Sequence, residues 1–346
     1  MGLGMTSDGI QAAIATGIDY LERVQGANGE LPVFAAFSPD MTDRRHLDPC
    51  FFGTVAIAST LIDCPEAADL SRRACDFIEN DRKPGKLWSY YKAGHRIVYP
   101  MPDVDDTGLA LIALAGNGRK IPRNRRILLA NRDLKGMFYT WIYPWRSPIR
   151  LALLTATWRS ISWFFRYRAF FANSLCEAHD VDGGINANIL AALGAFEGDQ
   201  RVIDFLLNIV RQEREASCDK YYDDPVLIRY FFSRALAGRC PEAGELLVAR
   251  AHVDADASAF HIALTILTLA LWKASIPDDL VRRLVAQQGA DGAWSIASFY
   301  CAGRPRRGYC DFAPAIPDIF RCGSEAMTTA LCISALNAVR AGEYPG

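Results

Sequence analysis

Two kinds of amphipathic segment alternate along this chain. Segments of the first kind have one apolar stripe at helical spacing, as in Ser7–Val24, where Ile10, Ile14 and Ile18 follow a Ser/Asp cap. Segments of the second kind, such as residues 51–62, are apolar on nearly all sides and almost uncharged. A helix with one apolar stripe lies at a surface, whereas a helix that is apolar all round is buried. The alternation therefore predicts pairs of an outer and an inner helix.

The outer/inner pair recurs six times. The outer segments are residues 7–24, 66–80, 123–173, 199–214, 241–253 and 277–288, and the inner segments are residues 51–62, 103–115, 186–193, 226–236, 259–272 and 323–339. Repeated helical hairpins form solenoids or, where the ring closes, toroids. Strand signals are nearly absent, and no linker rich in Pro, Gly or Ser divides the chain. We predict an all-α fold, an (α/α)6 toroid of six helical hairpins in one domain over residues 1–346, with all six inner-helix starts at one mouth.

The third outer segment departs from this pattern in an Arg- and aromatic-rich insertion at residues 137–172. Four tryptophans and many Phe and Tyr residues are interleaved there with five arginines. Its longest charge-free run is too short to span a bilayer. Arginines among aromatic residues suit a membrane interface, but they suit equally an outer helix whose arginines reach past a neighbour to solvent. Peripheral membrane contact and ordinary packing both stay open.

The composition limits which kinds of binding partner and which cell compartment are expected. The 346 residues are 51% hydrophobic and carry a formal net charge of −1. A large core is therefore available, and nucleic acid is not expected as the main partner. Ten cysteines are scattered without a C-x-x-C pair, which indicates reduced thiols and a cytoplasmic protein.

The candidate chemistry centres on residues 102–107, P-D-V-D-D-T, at the predicted start of the second inner helix. One carboxylate at a helix start caps free N–H groups, but Asp103, Asp105 and Asp106 together exceed what capping needs. Crowding of like charges and burial would raise the pKa of at least one of them, and that carboxylic acid would keep its proton. By the alternative interpretation, the segment is an N-cap with solvated acids.

Two motifs resemble those of class II terpene cyclases, the squalene–hopene cyclase-like members of the prenyltransferase–squalene oxidase repeat superfamily. Residues 288–294, Q-G-A-D-G-A-W, are similar to the Q-x-x-D-G-x-W repeat of these enzymes, and residues 102–107 to their D-x-D-D-T motif. Residues 25–31 and 85–88 look like degenerate copies of the repeat, and residues 323–331 are similar to its closing helices.

The resemblance implies an enzyme that protonates an alkene or epoxide of a linear prenyl chain and closes rings through carbocations. In that family the middle Asp of the motif is the proton donor, here Asp105, with Asp103 and Asp106 beside it. The physical requirements agree, because an alkene is a very weak base and its acid must be neutral, positioned and shielded from water. Aromatic faces would stabilise the cation. Protonation itself requires no cofactor.

Further pocket candidates stand at the predicted mouth. The aromatic candidates are Trp88, Tyr90, Trp141, Tyr221, Tyr222, Trp294 and Tyr309, and the polar candidates beside the acid helix are His179, Asp180, Asn186 and Asn188. The polar set would activate the donor or hold the group that ends the reaction. Core packing and helix capping are the alternative interpretations for each of these residues.

The substrate stays open at this point. Squalene-type and plant-type class II cyclases place the site between two barrels, whereas this chain supplies one, which favours a C15–C20 prenyl diphosphate or a prenylated small molecule. Lys220, Arg229 and Arg234 are candidates to hold a diphosphate, and Mg²⁺ is an option if the substrate carries one. The pocket of a single barrel would be closed by the barrel alone, by the insertion, or by a second copy in a homo-oligomer.

Other protein classes fit the sequence less well. Protein prenyltransferase β subunits share the barrel but need a zinc site of Asp, Cys and a later His. Here Cys310 and Asp311 stand in the reverse order, and all five histidines precede them. No D-D-x-x-D magnesium motif is present. We therefore predict no metal site, while a prenyltransferase β-like subunit or a non-catalytic barrel that binds a lipid or a partner remains the alternative.

Overall fold

The computed structural model describes residues 7–92, 101–142, 168, 170–172, 174–304, 306–308, 311–312 and 319–342. Its helices, in chain order, are α1 Ser7–Val24, α2 Phe52–Thr60, α3 Ala68–Asn80, α4 Val104–Gly116, α5 Arg125–Ala130, α6 Gly183–Leu193, α7 Asp199–Arg211, α8 Pro225–Leu236, α9 Pro241–Ala249, α10 Ala259–Leu271, α11 Asp278–Ala286 and α12 Glu325–Gly342. Short 3-10 turns lie at Pro65–Ala67, Pro84–Lys86 and Glu215–Ser217.

The even-numbered helices form a closed inner ring. Each contacts the next, from α2 through α4, α6, α8 and α10 to α12, and α12 also contacts α2. They are buried nearly all round; in α10, for example, every residue from Ala259 to Leu269 except His261 is buried. The odd-numbered helices are amphipathic, as in α7, where Val202, Leu206 and Ile209 face inward. The prediction of an α/α toroid built from helical hairpins is confirmed.

The repeat motifs are the joints between outer and inner helices. Gln288 donates to the carbonyls of Ala13 (2.9 Å) and Gly292 (2.9 Å). Gly292 turns with φ +88°, and a Cβ there would lie 2.2 Å from the Thr16 carbonyl oxygen, so no other residue fits. Gln25 makes the same two kinds of bond, to Gly29 and to α3. The two segments are therefore copies of one turn.

Threonines of the inner helices complete each joint. The backbone N–H of Leu31 donates to Thr54, that of Trp88 to Thr107 and that of Trp294 to Thr329, at 2.9–3.1 Å. Thr107 is the last residue of the acid motif. The position of the acids in the ring is thus fixed by the same contact that repeats around the barrel.

A small antiparallel sheet departs from the all-helical prediction. The described strands form this sheet and a second, two-stranded one; they are β1 Phe34–Ala36, β2 His46–Leu47, β3 Tyr300–Cys301, β4 Arg306–Gly308, β5 Asp311–Phe312 and β6 Arg321–Gly323. Four of them pair in the order β2-β1-β6-β3, with Phe34 opposite Leu47 and Tyr300 opposite Cys322, and β4 pairs with β5. The sheet joins the loop before α2 to the loop before α12.

Most of the 137–172 insertion lies outside the described residues. Within the described part of the chain, no helix is long and apolar enough to cross a membrane. The nine described cysteines are all buried, and none of them forms a disulfide within the described part of the chain.

Candidate active site

The acid motif forms the first turn of α4. Asp103 is the N-cap, and its carboxylate accepts the backbone N–H of Asp106 at 2.7 Å. Asp105 and Asp106 follow in the first turn, and all three carboxylates are buried. Helix capping thus explains the burial of Asp103, whereas the burial of Asp105 and Asp106 needs another explanation.

Backbone hydrogen bonds hold this turn between two neighbouring segments. The N–H of Asp103 donates to Trp88 O at 3.1 Å, and the N–H of Val104 donates to Thr140 O at 2.9 Å. Thr140 N–H in turn donates to Asp180 O at 2.9 Å. Backbone hydrogen bonds therefore join the loop before α4 to the segment before α6, and they fix the acid turn between them.

Asp105 receives a hydrogen bond at each carboxylate oxygen. Asn188 Nδ2 donates to Oδ1 at 2.7 Å, and the Tyr222 hydroxyl donates to Oδ2. Arg234 Nη2 donates to Asn188 Oδ1 at 2.6 Å. Because guanidinium is only a donor, it fixes the Asn188 amide with its NH₂ group toward Asp105. The amide cannot accept the proton of Asp105, which leaves that proton available to another group.

Burial sets the proton affinity of the three acids. Desolvation raises the pKa of Asp105, against the lowering effects of Tyr222, Asn188 and Arg234. Burial and the adjacent Asp105 raise the pKa of Asp103 to about 7. Burial and the charge of Asp103 raise the pKa of Asp106 well above its usual range, and its buried Oδ1 has no partner among the described residues. Burial therefore favours the protonated form of all three carboxyls.

An aromatic wall adjoins Asp105. We use this name for Phe52, Tyr90, Tyr222, Phe231, Phe260, Phe299 and Tyr300. The Tyr222 ring centroid lies 5.0 Å from that of Phe231 and 6.4 Å from that of Phe52. Phe52 lies 4.6 Å from Tyr300 and 6.4 Å from Tyr90, while Phe299 contacts Phe260 and Tyr222. The residue that binds the acid thus belongs to a continuous set of rings, whose π faces attract cations.

A second buried acid cluster lies beside the first. Asp182 accepts from Thr140 and from the backbone N–H of Lys220 (3.0 Å). Asp219 accepts the N–H groups of Gly184, Tyr221 and Tyr222 at 2.8–2.9 Å. Burial raises the pKa of Asp219 to about 7, and burial with the charge of Asp219 raises that of Asp182 well above its usual range. This cluster orients the loop that carries Tyr222.

Folding stability should fall as the pH rises through this range. Asp103 and Asp219 have folded pKa values of about 7, whereas an unfolded Asp titrates near ~3.9. Between these values the folded state binds more protons than the unfolded state, so the free energy of unfolding decreases with rising pH. We expect the melting temperature to drop from pH 5 to pH 8 in a thermal scan. Asp103→Asn, which keeps a good N-cap, should flatten the slope; an unchanged slope would contradict the assignment for Asp103.

Two residues that were expected to line the pocket, Trp88 and Trp294, pack between the helices instead. Trp88 and Trp294 are fully buried, and their indole N–H groups donate to the carbonyls of Ile78 and Leu284, both at 2.7 Å. Because the outer helices accept these bonds, the two rings lie between the helix layers and not in the wall beside Asp105. The expectation that they line the pocket is corrected on this ground.

The other expected pocket residues divide between wall and support. Tyr222 and Asn188 touch Asp105, and Tyr90 belongs to the aromatic wall. Trp141 packs edge-on against Tyr221 at 6.1 Å, in a small cluster with Phe170 and Phe171. Tyr309 lies outside the described residues.

The polar candidates around residue 180 support the loops. Asn186 is buried and pairs with both backbone groups of Phe138, at 2.9 and 3.0 Å. His179 is exposed and stands edge-on to Tyr139. Asp180 is bound by Lys220. None of these three contacts Asp105, contrary to their expected role beside the donor.

The three cations expected to hold a diphosphate are engaged elsewhere. Lys220 and Asp180 form an ion pair at 2.8 Å with both side chains fully buried. Arg229 lies 3.5 Å from the buried Glu215. Arg234 binds Asn188 and stacks over Tyr230 and Phe231. Lys220 and Arg229 thus face buried carboxylates, whereas Arg234 contacts a neutral amide and two aromatic rings. Diphosphate binding by these residues stays a prediction.

Some residues near the site escaped the sequence analysis. Asp219 was missed, although it stands next to the aromatic pair Tyr221-Tyr222 before an inner helix. Asp48 was also missed; its carboxylate accepts the Tyr90 hydroxyl. Phe299 lies in a loop without periodicity, so no pattern marked it. Among the described residues, no group of three or more His, Cys, Asp or Glu side chains is arranged to hold a metal ion.

Comparison with known proteins identifies the fold. No family model matches the chain, and no curated protein sequence matches it. Among solved structures, type II terpene cyclase MstE from Scytonema superposes with a TM-score of 0.66 at 16% identity, over 97% of this chain and 99% of that one. A variant of MstE in complex with geranylgeranyl dihydroxybenzoate, described as its substrate, gives 0.65 at 16% identity over 97% and 98%.

Two other solved structures agree. A protein from Actinoplanes matches with a TM-score of 0.65 at 19% identity, over 95% of this chain and 99% of that one. The ent-copalyl diphosphate synthase from Streptomyces platensis matches with 0.50 at 17% identity, over 85% of this chain but 50% of that one. The chain thus has the fold of single-barrel class II terpene cyclases, as the sequence resemblance implied.

Proposed function

We propose that this protein is a class II terpene cyclase that starts its reaction by protonation. The observation that carries this proposal is the state of Asp105. It is a buried carboxyl with a raised pKa, held by Asn188 and Tyr222 beside an aromatic wall. An acid of this kind keeps its proton until a weak base is placed against it. The shared fold with MstE supports the same conclusion.

The proposed reaction follows from these groups. The π electrons of a terminal alkene form a C–H bond with the proton of Asp105, or an epoxide oxygen takes that proton and one C–O bond of its ring breaks. Either step leaves Asp105 as a carboxylate and the cation at the more substituted carbon. A second alkene of the chain attacks that carbon, which closes a ring and moves the cation along the chain. The aromatic wall stabilises each cation without forming a bond to it. Asp103 caps the turn that carries Asp105 by accepting the N–H of Asp106, and Asp103 and Asp106 place two further carboxyls beside the proton donor.

We infer that the substrate is a hydrophobic prenyl compound, and that a prenylated small molecule is favoured over a prenyl diphosphate. MstE is described with geranylgeranyl dihydroxybenzoate as substrate. Of the three basic residues expected to hold a diphosphate, Lys220 and Arg229 face buried carboxylates, and Arg234 donates to Asn188 beside Asp105. Protonation uses the carboxyl alone, and Mg²⁺ would matter only for a diphosphate. Membrane contact through residues 137–172 and a homo-oligomer stay predictions.

Product analysis tests this proposal. The purified full-length protein is incubated with geranylgeranyl dihydroxybenzoate, geranylgeranyl diphosphate, farnesyl diphosphate and squalene, with and without Mg²⁺, and the products are identified by mass spectrometry and NMR. We expect a ring-closed isomer of one prenyl substrate, or its hydrate, without Mg²⁺. A folded protein that converts none of the four would contradict the proposal.

Arg234 should tune the acidity of Asp105 through Asn188. The titratable and charged groups that face Asp105 are Asp103 and Asp106 in its own turn, Tyr222 and Asp219 from the loop before α8, and Arg234 from α8. Arg234→Gln removes a positive charge, so the pKa of Asp105 should rise. The acid then stays protonated to higher pH but is weaker, and the rate should fall by about tenfold.

The measurement is the pH dependence of substrate conversion. For Arg234→Gln, the limb where activity is lost on raising the pH should move to higher pH, whereas Arg234→Lys should lie between this variant and wild type. A fall in rate that is equal at every pH would mean that Arg234 serves packing alone.

A further inference from the structure

A series of three hydrogen-bonded groups leads from the aromatic wall toward solvent. The Tyr300 hydroxyl lies 2.6 Å from the Tyr90 hydroxyl. The Tyr90 hydroxyl donates to the carboxylate of Asp48. Because Tyr90 has one hydroxyl proton and gives it to Asp48, Tyr300 is the donor in the bond between the two phenols. Tyr300 is buried, whereas Asp48 is partly exposed.

The backbone holds these groups in place. The carbonyl of Tyr90 accepts, at 2.7 Å, the N–H of Phe51, which is three residues after Asp48 in the chain. Asp48 N–H donates to Val33 O at 2.8 Å. Tyr300 is fixed by strand pairing with Cys322. The hydrogen-bonded series is therefore part of the rigid mouth.

The inner end of the series adjoins the same rings as Asp105. The Tyr300 ring lies 4.6 Å from Phe52, and Phe52 lies 6.4 Å from Tyr222, which binds Asp105. The proton donor and the phenol of Tyr300 are thus joined through the aromatic wall but bound to different partners. Burial raises the pKa of both Tyr90 and Tyr300 well above the usual range, so both phenols are neutral at rest.

We propose that Tyr300, Tyr90 and Asp48 form a proton-exit path that ends the cyclisation; this inference rests on the proposed function. A hydrogen next to the final cationic carbon leaves as a proton, and the electrons of its C–H bond form the new C=C bond. Tyr300 oxygen takes that proton, Tyr300 passes its own to Tyr90, and Tyr90 passes its own to Asp48. The carboxylate becomes a neutral acid and then loses the proton to water.

The order of the groups suits the chemistry of a carbocation. The hydrogens next to a cationic carbon are so acidic that a neutral phenol oxygen is a sufficient base. A carboxylate in direct contact would instead form a C–O bond and trap the cation as an ester. Two phenols between the carbocation and Asp48 avoid this capture while the carboxylate still accepts the charge. Tyr300 is the catalytic residue of the path, and Tyr90 and Asp48 act through it.

Product composition under the conversion assay tests the path. The variants Tyr300→Phe, Tyr90→Phe and Asp48→Asn each break one link, and folding is checked by circular dichroism. We expect all three to consume substrate, because Asp105 still starts the reaction. Tyr300→Phe removes the base, and the other two variants remove the groups to which Tyr300 passes its proton. Either change should slow the final proton loss by about 10²-fold, so water capture and loss of other hydrogens should compete. The alkene of the wild type should then give way to alcohols and isomeric alkenes.

Cys50→Ala is the matched control, because Cys50 Sγ lies 3.7 Å from the Tyr300 hydroxyl but is not on the path to Asp48. Its product composition should equal that of the wild type, and Asp48→Glu should partly restore it. The path is overturned if the three variants give the wild-type product, or if Cys50→Ala changes the product as much as they do. A folded wild-type protein that consumes no substrate would instead overturn the proposed function.

Discussion

Asp105→Asn should abolish substrate conversion while leaving the barrel folded. Asparagine keeps the size of the neutral acid but has no proton that it can give to an alkene. General acid catalysis contributes about 10²–10⁴-fold to a rate, and an alkene offers no other route to a cation at neutral pH. We therefore expect a loss of at least that size, measured as product formed from the converted substrate under identical conditions.

The stability of this variant separates chemistry from folding. Because burial disfavours the charged form of Asp105, a neutral amide should leave the melting temperature near that of the wild type. Asp76→Asn on α3 is the control and should keep full activity, because this half-exposed acid pairs with Arg119, beyond the end of α4 opposite the acid turn. Wild-type rates in a folded Asp105→Asn protein would refute the assignment of the proton donor.

Lys220→Met should produce the largest loss of stability. Lys220 and Asp180 are fully buried and 2.8 Å apart, and Lys220 also donates to Leu175 O at 2.6 Å. Removing the lysine leaves a buried carboxylate without its partner charge, which costs about 3–5 kcal/mol. The free energy of unfolding should fall by that amount in urea titrations, read from the midpoint and slope.

Neutralising the remaining carboxylate should recover most of this loss. Asp180→Asn can still accept the N–H of Glu177, which binds Asp180 at 2.8 Å, so the double variant should be more stable than Lys220→Met alone. Arg72→Met provides the comparison, because the Arg72–Asp69 pair is exposed and exposed pairs contribute about 0–1 kcal/mol. Equal losses for Lys220→Met and Arg72→Met would contradict the buried-pair argument.

The ring of inner and outer helices could be predicted because the spacing of apolar residues shows directly which faces of a helix are buried. Inner and outer segments differ in how many faces are apolar, and this difference is set by the layers of the barrel. The sixth helix began at Gly183 and not near Asn186, because two glycines carry no apolar signal. The sheet could not be predicted, since its strands have two or three residues and alternation needs a longer run to be detected.

The sequence predicted those site residues whose type and pattern allow a single interpretation. Three acids at a helix start are more than helix capping needs, and all three are buried in the structure. The role of Trp294 was harder to predict, because an indole ring can either stabilise a cation or pack in the core. Only the hydrogen bond from its N–H group to the Leu284 carbonyl distinguishes the two roles. Lys220 appeared as a free cation because its partner, Asp180, is 40 residues away in the chain. Such pairings depend on three-dimensional proximity, which a single sequence does not report.

The closure of the ring also sets the order of events during synthesis. Helix α12 packs against α1, α2 and α10, and it is the last inner helix to leave the ribosome. Until it docks, the ring is open between α10 and α2, and we expect water to reach the aromatic wall, since Phe299 and Tyr300 lie in the loop before α12. Desolvation, the main cause of the raised pKa of Asp105, is therefore complete only at the end of folding. In the proposed cyclase, Asp105 would therefore become a fully desolvated acid only after the barrel that must contain the cation has closed.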